Sequence, residues 1–304
     1  MKIIITGKNG QVGWELARTL TTLGDVAALG REAMDLSDPA SIRTVISGLR
    51  PSIIINAAAY TAVDRAEEEK GLAMAVNGIA PGVMAEEARR LGALLVHYST
   101  DYVFDGTKCG PYTEEDPTNP INTYGKTKLA GEEAVRSSGC NHLIFRTSWV
   151  YGTRGANFLL TMLRLLRERN TIKIVDDQKG APTWSRMIAE VTAQVLSRFV
   201  TAGGGFEFPP DHAGLYHLSA GGTTTWYGFA CAISNATGRG CACKIMPIPS
   251  EGYLCTAKRP KNSIMSNEKL FRAFGIKMPN WDVQFNLCME GLRAPSQPFH
   301  PPAK

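Results

Sequence analysis

The sequence lacks any long apolar run. No hydrophobic stretch approaches the roughly 18 residues that a membrane-spanning helix requires. No basic segment with a cleavage site precedes the strand-like run that starts at Lys2. These absences argue against a membrane partner and a secretory signal, and we expect a cytoplasmic location.

Metal-binding and disulfide patterns are also missing. The seven cysteines form an odd set without a Cys-x-x-Cys pair, which argues against a disulfide framework and a zinc ribbon. The five histidines show no His-x-x-x-His or similar spacing, so we expect no metal. The net charge is only +5, and the cationic residues are scattered rather than gathered in a stripe. We therefore expect no nucleic-acid partner, although a phosphate-bearing ligand would suit this charge.

The apolar residues that are present form a regular series. The 304 residues, 44% of them hydrophobic, can bury a large core. Strand-like runs alternate with helical patterns, and the runs cover Lys2 to Thr6, Asp25 to Leu29, Ser52 to Asn56, Ala93 to Tyr98 and His142 to Arg146. Runs that are apolar throughout are typical of a parallel sheet covered on both faces. They predict an α/β fold with a doubly wound, Rossmann-like parallel sheet.

This alternation changes after Tyr151: a stretch rich in glycine and proline runs from Gly203 to Gly214, and the segment from Thr223 onward is richer in proline, cysteine and aromatic residues. We expect residues 1–150 to form a dinucleotide-binding domain, with parts of 185–220 returning to it. Residues 151–304 should form mostly a second, smaller C-terminal lobe for the substrate.

Three glycines follow the first strand-like run. Gly7, Gly10 and Gly13 have the spacing of a turn that opens a helix, which begins near Gln11 and Val12. Backbone N–H groups and the positive helix end would then face a pyrophosphate. An ordinary strand-to-helix turn is the alternative. Because the motif opens a β-α-β series, we expect it to bind a dinucleotide cofactor through the three glycines together with Gln11 and Val12.

The end of the second strand indicates which cofactor. An NAD-selective site usually has an acidic residue about 20 residues after the glycines, whereas this sequence has Gly30-Arg31. The Arg31 guanidinium can pair with a 2′-phosphate, which favours NADPH and leaves NADH possible. A solvated surface arginine is the alternative. Asp35 and Leu36 follow as candidate adenosine contacts, with a cap or turn role equally open for Asp35.

The most informative motif is Tyr124-x-x-x-Lys128 on a predicted helix. Four residues are about one helical turn, so both side chains lie on the same face. A nearby ammonium lowers the pKa of a phenol, which would make Tyr124 a general acid. Thr100 ends the fourth strand-like run, at the edge where ligands bind in such sheets, and its hydroxyl could hold a substrate carbonyl. A strand-end cap is the alternative for Thr100.

Other candidates also follow strand ends. Ala57, Ala58 and Ala59 are small enough to let a flat cofactor lie close to the backbone, or simply to permit close helix packing. Trp149 could stack on a sugar or base, but large aromatic residues are as often part of the core.

A cationic loop lies in the second lobe. It contains Arg259 and Asn262 within Lys258-Arg259-Pro260-Lys261-Asn262 and could hold a diphosphate. A solvated turn is the alternative. We count both residues as candidate substrate contacts.

Together these motifs resemble the extended short-chain dehydrogenase/reductase family. The shared features are GxxGxxG, a strand-end Ser-Thr-Asp and Tyr-x-x-x-Lys, in that order. Closer segments resemble the dTDP-4-dehydrorhamnose reductases, and they are residues 56–64, 99–106, 145–152, 180–183, 221–226 and 259–263. The likeness therefore spans nearly the whole chain.

This resemblance implies that NADPH reduces C4 of dTDP-4-dehydro-L-rhamnose, a nucleotide sugar, to give dTDP-L-rhamnose. It carries the catalytic roles over to Thr100, Tyr124 and Lys128, and it implies that Tyr124 and Lys128 also contact the cofactor, with Lys128 at the nicotinamide ribose. It also puts Thr61, Val63 and Trp149 at the sugar pocket. A different reductase or epimerase of another nucleotide sugar, and a non-catalytic NADP-binding regulatory subunit, are the alternatives.

Two positions depart from patterns of the wider family. Sugar-nucleotide dehydratases have Ser-Thr-Asp-Glu, whereas Tyr102 follows Asp101 here, which disfavours dehydration. Some members bridge a homodimer through a divalent ion held by acidic residues aligned with Glu15 and Arg186. Since arginine repels such an ion, we expect a direct Glu15–Arg186 salt bridge between subunits if that dimer forms.

Overall fold

The computed structural model of the protein describes residues 1–237 and 243–293. Its centre is a sheet of six parallel strands: β1 (Lys2–Thr6), β2 (Asp25–Leu29), β3 (Ile53–Asn56), β4 (Leu94–Thr100), β5 (His142–Thr147) and β10 (Gly214–His217). The strand order is β10-β5-β4-β3-β1-β2. The predicted doubly wound, Rossmann-like sheet is confirmed.

Helices and short strands complete the described chain. The helices are α1 (Gln11–Thr19), α2 (Pro39–Leu49), α3 (Val63–Ala66), α4 (Lys70–Met74), α5 (Ala80–Leu91), α6 (Thr123–Ser137), α7 (Phe158–Glu168), α8 (Ser185–Ser197), α9 (Trp226–Ala236), α10 (Glu268–Phe274) and α11 (Trp281–Arg293). The short strands are β6 (Val150–Tyr151), β7 (Thr171–Val175), β8 (Lys179–Gly180), β9 (Thr183–Trp184), β11 (Thr224–Thr225) and β12 (Lys244–Ile248). A π-helical turn, Ala75–Ile79, joins α4 to α5.

The sheet is buried on both faces, which explains its continuous apolar strands. Ile3 and Ile5 belong to one core cluster with Leu16 of α1, and Ile4 belongs to the other with Ile42 of α2. All three isoleucines are 0% exposed. Successive side chains of a strand point to opposite faces, so covering both faces requires every position to be apolar.

The order of the strands sets the position of a ligand cleft. From β1 the chain passes to β2 on one side, whereas β3, β4 and β5 follow on the other side. Such a reversal leaves a crevice at the carboxyl ends of the two strands where it occurs, here β1 and β3.

Segments after residue 151 belong to two regions. Strand β10 pairs with β5 in the main sheet, and α8 packs against the same core cluster as α1. The helices α7, α9 and α11 surround a separate cluster around Tyr151 and Phe229, next to the parallel pair β7 and β12. Within the described residues, no helix has both the length and the apolarity needed to cross a bilayer.

The start of α6 is held by two polar side chains. Asn122 accepts a hydrogen bond from the Gly125 N–H at 2.8 Å, as an N-cap does. Glu67 accepts from the backbone N–H of Thr123 at 2.8 Å and from its hydroxyl at 2.7 Å. These contacts determine where the helix that carries Tyr124 and Lys128 begins.

We predict that Gly13→Ala destabilises the protein by about 1–3 kcal/mol, the usual cost of overpacking. A Cβ at this position would lie 2.2 Å from the carbonyl oxygen of Gly7. The control is Gly48→Ala on α2, where a Cβ meets nothing within 4 Å. This control should stabilise by roughly 0.5–1 kcal/mol through helix propensity. Urea unfolding measures both, and equal effects would contradict the packing argument.

Candidate active site

The glycine turn packs directly against the end of β3. Gly7 has a φ of 75°, and a Cβ there would lie 3.0 Å from the backbone of Ala58. The Gly10 N–H donates to the Gly7 carbonyl at 2.9 Å. Since glycine alone adopts this backbone readily, the turn and the alanine segment can approach one another and expose the start of α1.

A cleft of about 480 Å³ opens beside this turn. Seven of the predicted cofactor residues line it: Gly7, Gly10, Arg31, Asp35, Leu36, Ala58 and Ala59. The sequence reasoning missed further lining residues, among them Lys8, Asn9, Tyr60, Arg65 and Glu69. Lys8 had a usable signal, because it stands inside the glycine motif. Arg65 and Glu69 had none, because Arg65 lies on the short helix α3 and Glu69 immediately precedes α4, outside any motif.

The remaining predicted cofactor residues do not line this cleft. The Gln11 side chain amide accepts from Asn157 at 2.9 Å, and Val12 packs against a core cluster. Gly13 lies under the carbonyl of Gly7. Ala57 contributes backbone next to Gly7. Their cofactor contacts stay predictions.

Charges surround the outer edge of the cleft. Arg31 is exposed, and its guanidinium lies 3.5 Å from the Asp35 carboxylate. Asp35 in turn accepts from the backbone and hydroxyl of Ser37, which holds the pKa of its carboxyl below the usual range. Lys8 pairs with Glu32. Two cations and two carboxylates therefore meet where the second strand ends.

Thr100 and Tyr124 meet at the carboxyl end of β4. Thr100 accepts from the Tyr102 N–H at 3.2 Å and donates to the Asp101 carboxylate at 3.0 Å. The Tyr124 ring makes an edge contact with Tyr102, with centroids 5.6 Å apart. Burial raises the pKa of the Tyr124 phenol to about 12. Its hydrogen bond with Thr100 opposes this rise and the Asp101 charge adds to it.

That shift is opposite to the one expected from the Tyr-x-x-x-Lys spacing. The Lys128 ammonium donates to the Tyr98 carbonyl at 2.6 Å and is only 1% exposed. Burial lowers the pKa of Lys128 to about 8, and the Glu132 carboxylate opposes this. The exclusion of water, which disfavours any charge, is the largest cause of both shifts.

Lys128 lies one turn before a buried ion pair. Both carboxylate oxygens of Glu132 accept from Arg146 of β5, at 2.9 and 2.7 Å. Ser99 of β4 donates to the same carboxylate at 2.5 Å. The side chains of Glu132 and Arg146 are 1% and 3% exposed. This pair ties α6 to two strands of the sheet.

The predicted substrate residues are distributed around this centre. Thr61 is exposed in the loop before α3, and Val63 opens that helix, which contacts α6. Trp149 has a φ of 47°, stacks on Trp226 with ring centroids 3.6 Å apart, and lies against Gly180. Trp149 is half-buried, and one face of its ring is covered by Trp226.

The two loop residues both have partners within the chain. Arg259 pairs with Asp64 at 2.7 Å, 195 positions away in sequence. The Asn262 amide donates to the Lys108 and Gly110 carbonyls at 2.8 and 2.9 Å. A diphosphate would have to displace or share these partners, and the substrate role of both residues stays a prediction.

Arg186 has a partner on its own helix. Its guanidinium pairs with Glu190 at 2.8 Å. Burial raises the pKa of the nearby Glu15 carboxyl, and the Arg186 charge opposes this rise. The salt bridge expected between subunits therefore stays a prediction. Among the described residues, no cluster of His, Cys, Asp or Glu could hold a metal ion.

Comparison with known proteins gives a consistent match. The chain matches the RmlD substrate binding domain family over residues 1–294. A dTDP-4-dehydrorhamnose reductase of Burkholderia thailandensis is 50% identical over 300 residues, covering 96% of this chain and 99% of that protein. A Clostridium acetobutylicum dTDP-4-dehydrorhamnose reductase structure has a TM-score of 0.88 and 35% identity, covering 96% and 100% of the two chains. One from Bacillus anthracis, in complex with NADP, has a TM-score of 0.86 and 34% identity, covering 95% and 99%.

The Rossmann-like sheet, the glycine turn and the strand-end threonine beside Tyr-x-x-x-Lys define an oxidoreductase of the extended short-chain dehydrogenase/reductase class. Each of these matches spans nearly the full length of this chain and of the related protein. Within that class, the chain belongs to the dTDP-4-dehydrorhamnose reductase family.

We predict that Glu132→Gln lowers the free energy of unfolding by about 3–5 kcal/mol, because it leaves the buried Arg146 charge unpaired. The matched control is Glu168→Gln, which breaks an exposed i,i+4 pair with Arg164. Exposed pairs contribute at most about 1 kcal/mol. Urea unfolding at neutral pH distinguishes them, and a Glu132→Gln effect as small as the control's would show that the buried pair adds little.

Proposed function

We propose that this protein uses NADPH to reduce C4 of dTDP-4-dehydro-L-rhamnose, giving dTDP-L-rhamnose, with Tyr124 as the general acid. The observation that carries the proposal is the meeting of Thr100 and Tyr124 at the carboxyl edge of β4, in a family of dTDP-4-dehydrorhamnose reductases. Ketone reduction requires a proton donor at the carbonyl oxygen, and these hydroxyls are positioned to serve it.

The cleft beside the glycine turn fits a dinucleotide. The N-terminal end of α1 faces it, which favours a pyrophosphate, and Arg31 and Lys8 lie at its edge, where a 2′-phosphate would bind. The related Bacillus anthracis structure holds NADP. NADPH, when bound, supplies the hydride, and we expect NADH to be a poorer substitute.

Three side chains have separate roles in the proposed reaction. Tyr124 gives its proton to the developing C4 alkoxide, which is a stronger base than a phenolate, so even a phenol with a raised pKa can protonate it. The Thr100 hydroxyl orients the carbonyl. Lys128, one helical turn after Tyr124 and held by the Tyr98 carbonyl, supplies positive charge and a donor for the cofactor ribose.

The lobe after residue 151 is proposed to bind the nucleotide sugar, using Trp149 and, after release from Asp64, Arg259. We also propose a cytoplasmic enzyme and a homodimer. A panel of dTDP, UDP and GDP 4-keto sugars, assayed by NADPH oxidation, tests the substrate. Turnover of another nucleotide sugar alone would replace the proposed substrate, and no turnover with any would favour a regulatory role.

We predict that Tyr124→Phe preserves NADPH binding and lowers kcat about 10²- to 10⁴-fold, the usual contribution of general acid catalysis. The change removes one hydroxyl and little volume. Fluorescence titration of NADPH and steady-state kinetics measure the two effects. Near-full activity in this variant would assign the proton to another group.

We predict that Arg31→Ala raises the KM for NADPH about tenfold, equivalent to roughly 1.4 kcal/mol, and leaves the KM for NADH unchanged. The reason is that only NADPH carries the 2′-phosphate that the guanidinium would pair with. The control is Arg272→Ala. Arg272 is also exposed, and it pairs with Glu268 on its own helix, α10. Equal changes for both cofactors would exclude a 2′-phosphate contact.

A further inference from the structure

Asp101 is a buried carboxylate with no role in the reaction as described above. It is 2% exposed and follows Thr100 directly. Its Oδ1 accepts from the Thr100 hydroxyl at 3.0 Å, and its Oδ2 accepts from the Ser148 hydroxyl at 3.0 Å. Ser263, from the loop after Arg259, also hydrogen-bonds to it. Hydroxyl groups of three separate segments therefore converge on one carboxylate.

The direction of the Thr100 hydrogen bond has a chemical consequence. A hydroxyl has one proton, and Thr100 donates that proton to Asp101. The Thr100 oxygen already accepts from the Tyr102 N–H, and the Tyr124 hydroxyl lies within hydrogen-bond reach of the same group. While Asp101 is ionised, Thr100 has no proton left to donate to a substrate carbonyl. Once Asp101 carries a proton, it can donate to the Thr100 oxygen, and the Thr100 proton becomes available to the ketone.

We propose that Asp101 is a positioning residue that must be protonated for turnover, because only then can Thr100 donate a hydrogen bond to the C4 oxygen. The inference rests on the proposed function and deepens it. No proton leaves Asp101 in this role. Tyr124 still gives the proton that ends on the product, and Asp101 only determines which way the Thr100 hydroxyl points.

The surroundings of Asp101 favour its neutral form. Burial raises the pKa of its carboxyl to about 6, while the Ser263, Ser148 and Thr100 hydroxyls oppose this. The titratable groups facing it are the phenols of Tyr102 and Tyr124, whose pKa values its charge raises.

More distant charges do not cancel this effect. Arg259 acts on Tyr102, and Lys128, on the same helix as Tyr124, is held by the Tyr98 carbonyl. A bound substrate would exclude further water and raise the pKa of Asp101 again.

The sign of the pH dependence follows directly. Below the Asp101 pKa the carboxyl is protonated and Thr100 can donate, so kcat at saturating NADPH and substrate should be highest there. Above it, kcat should fall, approaching about tenfold per pH unit as a single essential acid ionises. Lys128, whose pKa is lowered to about 8, would add a second fall at higher pH.

Two variants identify the group responsible for the first fall. Asp101→Asn keeps the shape and resembles the protonated acid, since its amide can donate to Thr100 at every pH, so the first fall should disappear. Ser148→Ala removes a donor to the carboxylate, which raises the Asp101 pKa, so the first fall should move to higher pH. Asp211→Asn, an exposed carboxylate outside the site, should leave the profile unchanged.

The outcomes separate this inference from the proposed function. If the wild-type protein does not reduce the nucleotide sugar, the proposed function fails. If it does, three results would each overturn the role of Asp101. These are a wild-type kcat that does not fall until the Lys128 range, an Asp101→Asn protein that binds NADPH normally but keeps the fall or is inactive, and a Ser148→Ala profile that moves to lower pH.

Discussion

The buried ion pair between Glu132 and Arg146 is the interaction on which the site depends. It joins α6, which carries Tyr124 and Lys128, to β5, and through Ser99 to β4, which ends at Thr100. A buried pair is costly to desolvate, and replacing it with apolar residues is often neutral for stability. Its role here is to fix the orientation of α6 relative to the sheet. Two oxygens matched to a planar guanidinium allow one rotation and one height of the helix against the sheet.

The electrostatics of the centre are set by the absence of water more than by pairs of charges. Burial raises the pKa values of Tyr124 and Asp101 and lowers that of Lys128, so each group is shifted toward its neutral form. A neutral phenol is the correct form for an acid that meets an alkoxide. A neutral Asp101 would also leave the Thr100 hydroxyl free to face the substrate. The same desolvation therefore favours the forms that the proposed mechanism requires of Tyr124 and Asp101, whereas for Lys128 it opposes the charge that the mechanism requires.

The fold explains why these groups share one edge. Strands covered by helices on both faces carry mostly apolar side chains along their length, so polar groups are concentrated near the ends of the strands. Thr100 ends β4, Asp101 follows it, Ser148 follows β5, and the glycine turn follows β1. The reversal between β1 and β3 opens the cleft beside them.

The sequence by itself determined the fold class, the glycine turn, and the residues that follow each strand, because hydrophobic periodicity and glycine spacing are local properties. Even so, it missed Lys8, and it predicted the wrong direction for the pKa of Tyr124. Tertiary structure alone decided that Arg259 meets Asp64, that Asn262 donates to the Lys108 and Gly110 carbonyls, and that Asp101 accepts a hydrogen bond from Ser148. The first two contacts join residues more than 150 positions apart, and the shifted pKa values depend on how completely the assembled protein excludes water. Neither can be read from spacing along the chain.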